Sequence, residues 1–158
     1  MSEDNIKAAL KKIPYPVSVV TVGAGGAENG LTISWLSQVS FNPPMVMIAI
    51  DQGHYSNLPL SGAQSFVVNL LGKDQKHIAG HFAKQSVEGE DKIDKFPTRE
   101  ASSGSLILTD AVAYIDCELV QSVDAGGHTL FIGKVIDAGI LNDGEVLTSD
   151  SGMAYTKS

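Results

Sequence analysis

The feature that most constrains this 158-residue chain is how little sequence separates its apolar runs. A parallel strand pair needs a crossover of about a dozen residues, whereas an antiparallel pair can turn within two. Residues 112–123 alternate, with Ala113, Ile115, Cys117 and Leu119 on one face and Tyr114, Asp116 and Glu118 on the other. Asp124, Ala125, Gly126 and Gly127 then turn the chain into a second run at 128–136, the pattern of a hairpin. Further strands are predicted at 16–22, 31–40, 45–50 and 65–71, with short ones near 145–148 and 153–156. The run at 45–50 is continuously apolar, as in a strand covered on both faces, and follows a break at Asn42, Pro43 and Pro44. Helices are predicted at 2–12, with Ile6, Ala9, Leu10 and Ile13 in one stripe, at 56–62, and at 74–84, with Ile78 and Phe82 turned inward. Residues 88–104 read as a long loop. Many strands, short turns and two or three helices predict a mainly β, antiparallel barrel, closed or nearly so, with helices at its edges.

The length fits a single domain over residues 1–158. Charged residues make up 18% of it, below the average of about 25%, so part of the surface is expected to lie under a partner or ligand. A net charge of −7 argues against nucleic acid and against an anionic membrane surface. The N-terminus lacks the apolar core of a signal peptide, and no run approaches a membrane span, which predicts a cytoplasmic protein. The one cysteine excludes a disulfide framework and reads as a small core residue.

Several motifs point nowhere. Gly23, Gly25, Gly26 and Gly30 suggest a dinucleotide loop, but Glu28 stands where a glycine is needed, and Leu31-Thr-Ile-Ser-Trp35 is a poor helix opening. His77 and His81 are four apart on a predicted helix, yet no third ligand accompanies them, so no metal is expected. Asp91 and Asp94 fall in the charged loop, and no Gly-x-Ser-x-Gly elbow is present. The informative stretch is 29–44. If its strand is regular, Thr32, Ser34, Gln38 and Ser40 share a face. Such hydroxyls and amides in an apolar barrel must hydrogen-bond backbone, water, or a flat polar ligand.

Read in order, the motifs resemble those of the flavin reductase-like, FMN-binding split-barrel family, near its flavoredoxin branch. They are Asn29-Gly-x-Thr-x-Ser-Trp35, Ser40-x-x-Pro-Pro44, Ser61-Gly-x-x-x-Phe-Val-Val-Asn-Leu70, Phe82-Ala83, Asp94-Lys-Phe96, Ala111-x-Ala-x-Ile-x-Cys-Glu118, Gly127-His-Thr-Leu-Phe-Ile-Gly-Lys-Val135 and Gly152-x-x-Tyr155. Each is weak alone; their order and spacing carry the likeness.

The resemblance implies an antiparallel split β-barrel of Greek-key type that forms a homodimer, with FMN in preference to FAD near the subunit interface. It implies an NAD(P)H-dependent flavin reductase that uses NADH or NADPH and passes electrons to free flavin, a monooxygenase or another acceptor. The alternative is an FMN electron carrier reduced by a partner protein. Carried over by residue, Asn29, Gly30, Thr32, Ile33, Ser34, Trp35 and Ser37 would line the flavin. Asp51, Tyr55, Ser56 and Asn57 would form the turn at its phosphate, where helix amides can bind an anion. Lys95 and Phe96 would belong to a closing loop, and His128 would lie where nicotinamide stacks, as the residue acting in catalysis. Hydride transfer between two rings needs placement more than an acid or base.

Overall fold

The computed structural model describes residues 2–23, 29–53, 64–84 and 92–149. The predicted helix at 56–62, the strand at 153–156 and the glycine turn at 24–28 lie outside them, as do Tyr55, Ser56 and Asn57.

The chain begins with helix α1 (Glu3–Leu10), then strands β1 (Ser18–Val22), β2 (Asn29–Ile33), β3 (Leu36–Phe41), β4 (Pro44–Asp51) and β5 (Ser65–Leu70). Helix α2 (Lys76–Ala83) and a 3-10 turn (Lys92–Lys95) precede β6 (Thr98–Glu100), β7 (Leu106–Leu108), β8 (Ala113–Ala125) and β9 (His128–Ile140). Seven strands form one sheet in the order β2-β1-β5-β8-β9-β4-β3, and every neighbouring pair is antiparallel. The two edge strands, β2 and β3, are consecutive in sequence, with only Ser34 and Trp35 between them. Three Cα steps span at most about 11 Å. The sheet must therefore curl until its edges meet end to end. Its ladder stays open there, so the barrel is split and not closed.

The interior confirms the curl. Val20, Leu31, Ile48, Phe66, Cys117 and Phe131, from six different strands, belong to one buried cluster. Close packing leaves no room for a side chain at Gly133, where an added Cβ would lie 2.6 Å from both Cys117 Cβ and Phe66 Cζ. A second cluster covers the outside of β1 with α2, through Val17, Val19, Leu71, Ile78, Ala79 and Phe82. In a third, the β6–β7 hairpin covers Val67 and Tyr114.

That hairpin covers the outer face of β8. Asp116 and Tyr114 do face away from the barrel interior, yet both are buried. The Asp116 carboxylate accepts Ser103 N–H at 2.9 Å and Ser103 Oγ–H at 2.5 Å, so the loop carried by the hairpin satisfies it. Beneath β7, Asn69 Nδ2 donates to Val19 O and Thr21 Oγ1, while its Oδ1 accepts Leu108 N–H at 2.8 Å. Cys117 is a core residue as expected. Burial, and then the neighbouring Asp116 carboxylate, push its thiol up to about 12.

Other boundaries differ locally. The strand expected at 31–40 is two strands, and the loop at 88–104 carries the 3-10 turn and β6. The tail at 145–148 makes two isolated bridges, Gly72 with Val146 and Pro16 with Thr148, in place of a strand. Helix α1 is capped by Ser2, whose Oγ accepts Asn5 N–H, but its stripe is not buried: Ile6, Leu10 and Ile13 are exposed.

Candidate functional site

The site is the split itself. Its position follows from the strand break at Ser34 and Trp35, where β2 leaves α2 and β3 crosses onto β4, with Ala49 N–H donating to Trp35 O at 3.0 Å. The face shared by Thr32, Ser34, Gln38 and Ser40 in a regular strand does not exist as one stripe. Thr32 and Ser34 are buried, whereas Gln38 is exposed and its amide turns back to Ser40 O.

On one side of the break, β2 packs under α2. Thr32 Oγ1 donates to Ala79 O at 2.6 Å, which leaves that hydroxyl only its acceptor capacity. Gly30 gives its side-chain space to Phe82, since a Cβ there would lie 2.6 Å from the ring. Ile33 points into the barrel cluster, so it can offer a ligand only backbone groups. Phe82 stacks at 5.4 Å on Phe96, and His81 sets its edge against both rings, at 5.0 Å and 5.2 Å. Phe96 closes the 3-10 turn by donating its N–H to Ile93 O, and Lys95 is exposed on that turn. Of the spaced histidines, His81 is thus part of an aromatic cluster, and His77 is exposed.

On the other side, Trp35 rests on His128, with ring centroids 4.4 Å apart and 32° between planes. Tyr15 approaches Trp35 from behind at 6.1 Å. His128 opens β9 after the turn at Gly126, whose φ of 57° suits glycine. Register places it directly opposite Asp51 of β4, so the two side chains share the outer face of the sheet. Gln52 ties the corner together: its N–H donates to Gly127 O at 2.8 Å and its amide to His128 O at 3.2 Å. Asp51 Oδ1 accepts Gly53 N–H at 2.9 Å. Ser37 is exposed and donates to Gln38 O. Asn29 begins β2.

Between these walls lies Ser34. Its Oγ is buried and, among the described residues, has no hydrogen-bond partner; Ser18 Oγ, on β1, is the other such atom. A buried hydroxyl without a partner is costly, and at the break between two sheet edges it is the atom a ligand parting them would complete. The break between β2 and β3 thus has the Phe82, Phe96 and His81 rings on one side, with Lys95 exposed on the adjoining turn, and Trp35 against His128 on the other. Tyr15, Gln52 and His81 carry no signal in the sequence that assigns them to this place. Each arrives through tertiary contact.

A family model described as a flavin reductase like domain matches residues 10–157. A diflavin flavoprotein A 4 of Nostoc sp., named as putative, is 34% identical over 143 residues, covering 89% of this chain but 24% of that protein. The chain spans about a quarter of the length of such diflavin relatives. An NADH-dependent FAD reductase of Streptomyces globisporus is 33% identical over 137 residues, 84% of this chain and 74% of that protein. Among solved structures, the NADH:FAD oxidoreductase of Streptomyces globisporus C-1027 superimposes with a TM-score of 0.86 at 28% identity, covering 99% of this chain and 94% of that one. A second structure of that oxidoreductase holds NAD and FAD fragments.

Proposed function

The chain belongs to the flavin reductase-like domain family, and from that premise we propose that it is an NAD(P)H-dependent flavin oxidoreductase whose flavin lies in the split between β2 and β3. The single observation that carries this reading is the buried, unpartnered hydroxyl of Ser34 at the break between β2 and β3. When bound, the flavin supplies the hydride-accepting ring.

The chain's own residues bind and orient. Ser34 Oγ would hydrogen-bond the flavin, the backbone of residues 29–34 would run along it, and Thr32, fixed to α2, would have its acceptor capacity left to offer. Lys95 supplies a cation near a phosphate, with the turn after Asp51 as the second anion contact. FMN is the proposed flavin. His128, on the opposite rim, orders the nicotinamide of NADH or NADPH against the exposed ring face. Trp35 beside it is 43% exposed, so neither ring is sealed under protein and a nucleotide could reach His128, which favours an enzyme over a sealed electron carrier. Electrons then pass to free flavin, a monooxygenase or another acceptor.

The reading includes a homodimer in the cytoplasm. Register puts Met47, Leu130, Ile132 and Val123 on the outer face of β4, β9 and β8, opposite the side of Ile48 and Phe131. This apolar face beside the cleft suits a second copy. No helix among the described residues is long and apolar enough to cross a membrane.

Anaerobic mixing of the purified flavin-bound protein with NADH and, separately, NADPH, followed at the flavin absorbance band, tests the activity. Bleaching by either nucleotide is expected. A protein that binds no flavin, or whose flavin neither nucleotide reduces, would overturn it.

A further inference from the structure

We infer that Trp35 is a positioning residue for His128: its indole holds the imidazole in the orientation that receives the nicotinamide ring. This rests on the reading of His128 as the nicotinamide-side residue.

The support is geometric. His128 follows a turn of two glycines at the tip of the β8–β9 hairpin, and residues 121–127 are all exposed. The backbone of His128 is held by pairing with Asp51 and Ala125 and by Gln52, but nothing in the exposed tip fixes which rotamer its side chain takes. Among the described residues the imidazole makes no hydrogen bond, and its ring contact is with Trp35 at 4.4 Å. Trp35, by contrast, is anchored. Its carbonyl accepts Ala49 N–H, and its ring leans on Tyr15, itself tied to Ser149 by a reciprocal pair of bonds of 3.0 and 2.8 Å. A line of support therefore runs from the barrel end through Tyr15 and Trp35 to His128. An indole that is 43% exposed yet stacked on a loop-tip histidine has no core to fill. It fixes a ring that would otherwise sample several rotamers, so the ordering entropy is met before the nucleotide arrives.

The test compares wild type with Trp35→Ala, Trp35→Phe, His128→Ala and the double variant, in stopped-flow flavin reduction at varied NADH or NADPH. Trp35→Ala is expected to raise the half-saturating nucleotide concentration roughly tenfold, about 1.4 kcal/mol, with a clearly smaller loss of flavin affinity, since the resemblance also sets Trp35 along the flavin. Phenylalanine, which keeps a stacking face, should restore most of it. Adding Trp35→Ala to His128→Ala should change little further, since the two act as one unit. Equal loss in both backgrounds, or flavin affinity falling as far as nucleotide affinity, would overturn the inference and make Trp35 a flavin contact. Because Trp35 is the one tryptophan in the sequence, its emission reads the stack even if the alanine variant does not fold. His128→Ala should alter that emission, and an unchanged spectrum would refute the contact. Should wild type bleach normally while Trp35→Ala matches it, this inference alone fails. Should wild type not bleach at all, the reductase reading fails and takes the inference with it.

Discussion

Replacing Ser34 by alanine is expected to move stability and cofactor affinity in opposite directions. The hydroxyl is buried without a partner, and a desolvated, unpaired hydroxyl costs about 1–3 kcal/mol on mutational scales. Alanine removes that one atom and leaves a cavity smaller than a water. The flavin-free protein should gain about 1 kcal/mol, which in a domain of this size is roughly 2–4 °C in Tm. With flavin bound, the variant lacks a hydrogen bond whose net value is about 0.5–1.5 kcal/mol; added to the gain of the flavin-free state, this weakens binding by about 1.5–2.5 kcal/mol, a rise in Kd of about tenfold to seventyfold. Ser18→Ala is the matched control. Its hydroxyl is equally unpartnered, but register places it opposite Ile33 and Leu70 inside the barrel, away from the cleft. It should gain stability without any change in Kd. Thermal unfolding of flavin-stripped protein, beside a fluorescence titration with FMN, measures both quantities. A Ser34→Ala protein that loses stability, or that binds FMN as tightly as wild type, would show that the hydroxyl is satisfied by something other than the flavin.

Gly133→Ala should destabilise by about 1–3 kcal/mol, because its methyl would meet Phe66 and Cys117 in the packed barrel; an unchanged urea midpoint would contradict this. Asn69→Ala should cost about 2–4 kcal/mol by stranding the Leu108 N–H and removing the donor to Thr21 Oγ1, which keeps its own bond to Leu106 O, and should loosen the β6–β7 hairpin first, read as faster amide exchange across residues 98–108. Cys117, whose ordinary value is 9.0 but which is held near 12 in the fold, keeps its proton when the unfolded chain has lost it. Stability should therefore be full below pH 9 and fall as pH rises toward 12. Cys117→Ala should show a shallower fall; an identical slope would remove the thiol as its cause.

Pattern alone determined much of this molecule. Period-two alternation at 112–123 and connections too short for crossovers dictate antiparallel pairing, because a strand reverses in two residues only with its neighbour alongside. The motif from Asn29 to Trp35 runs through β2 to the break before β3, and the helix over 74–84 was legible from Ile78 and Phe82, which are buried at helical spacing. Tertiary structure decided the rest. A periodic pattern says which face a side chain takes but not what covers that face: it sets Asp116 on the face opposite Cys117, but not beneath Ser103. The break at Ser34 is invisible locally, since residues 31–40 suit one strand; it exists because the curled sheet must open where its two edges are joined by two residues. The same curl carries Trp35 across 93 positions of sequence to His128, and no local rule reports a contact at that separation. Spacing names the residues of the cleft; only closure of the sheet makes them neighbours.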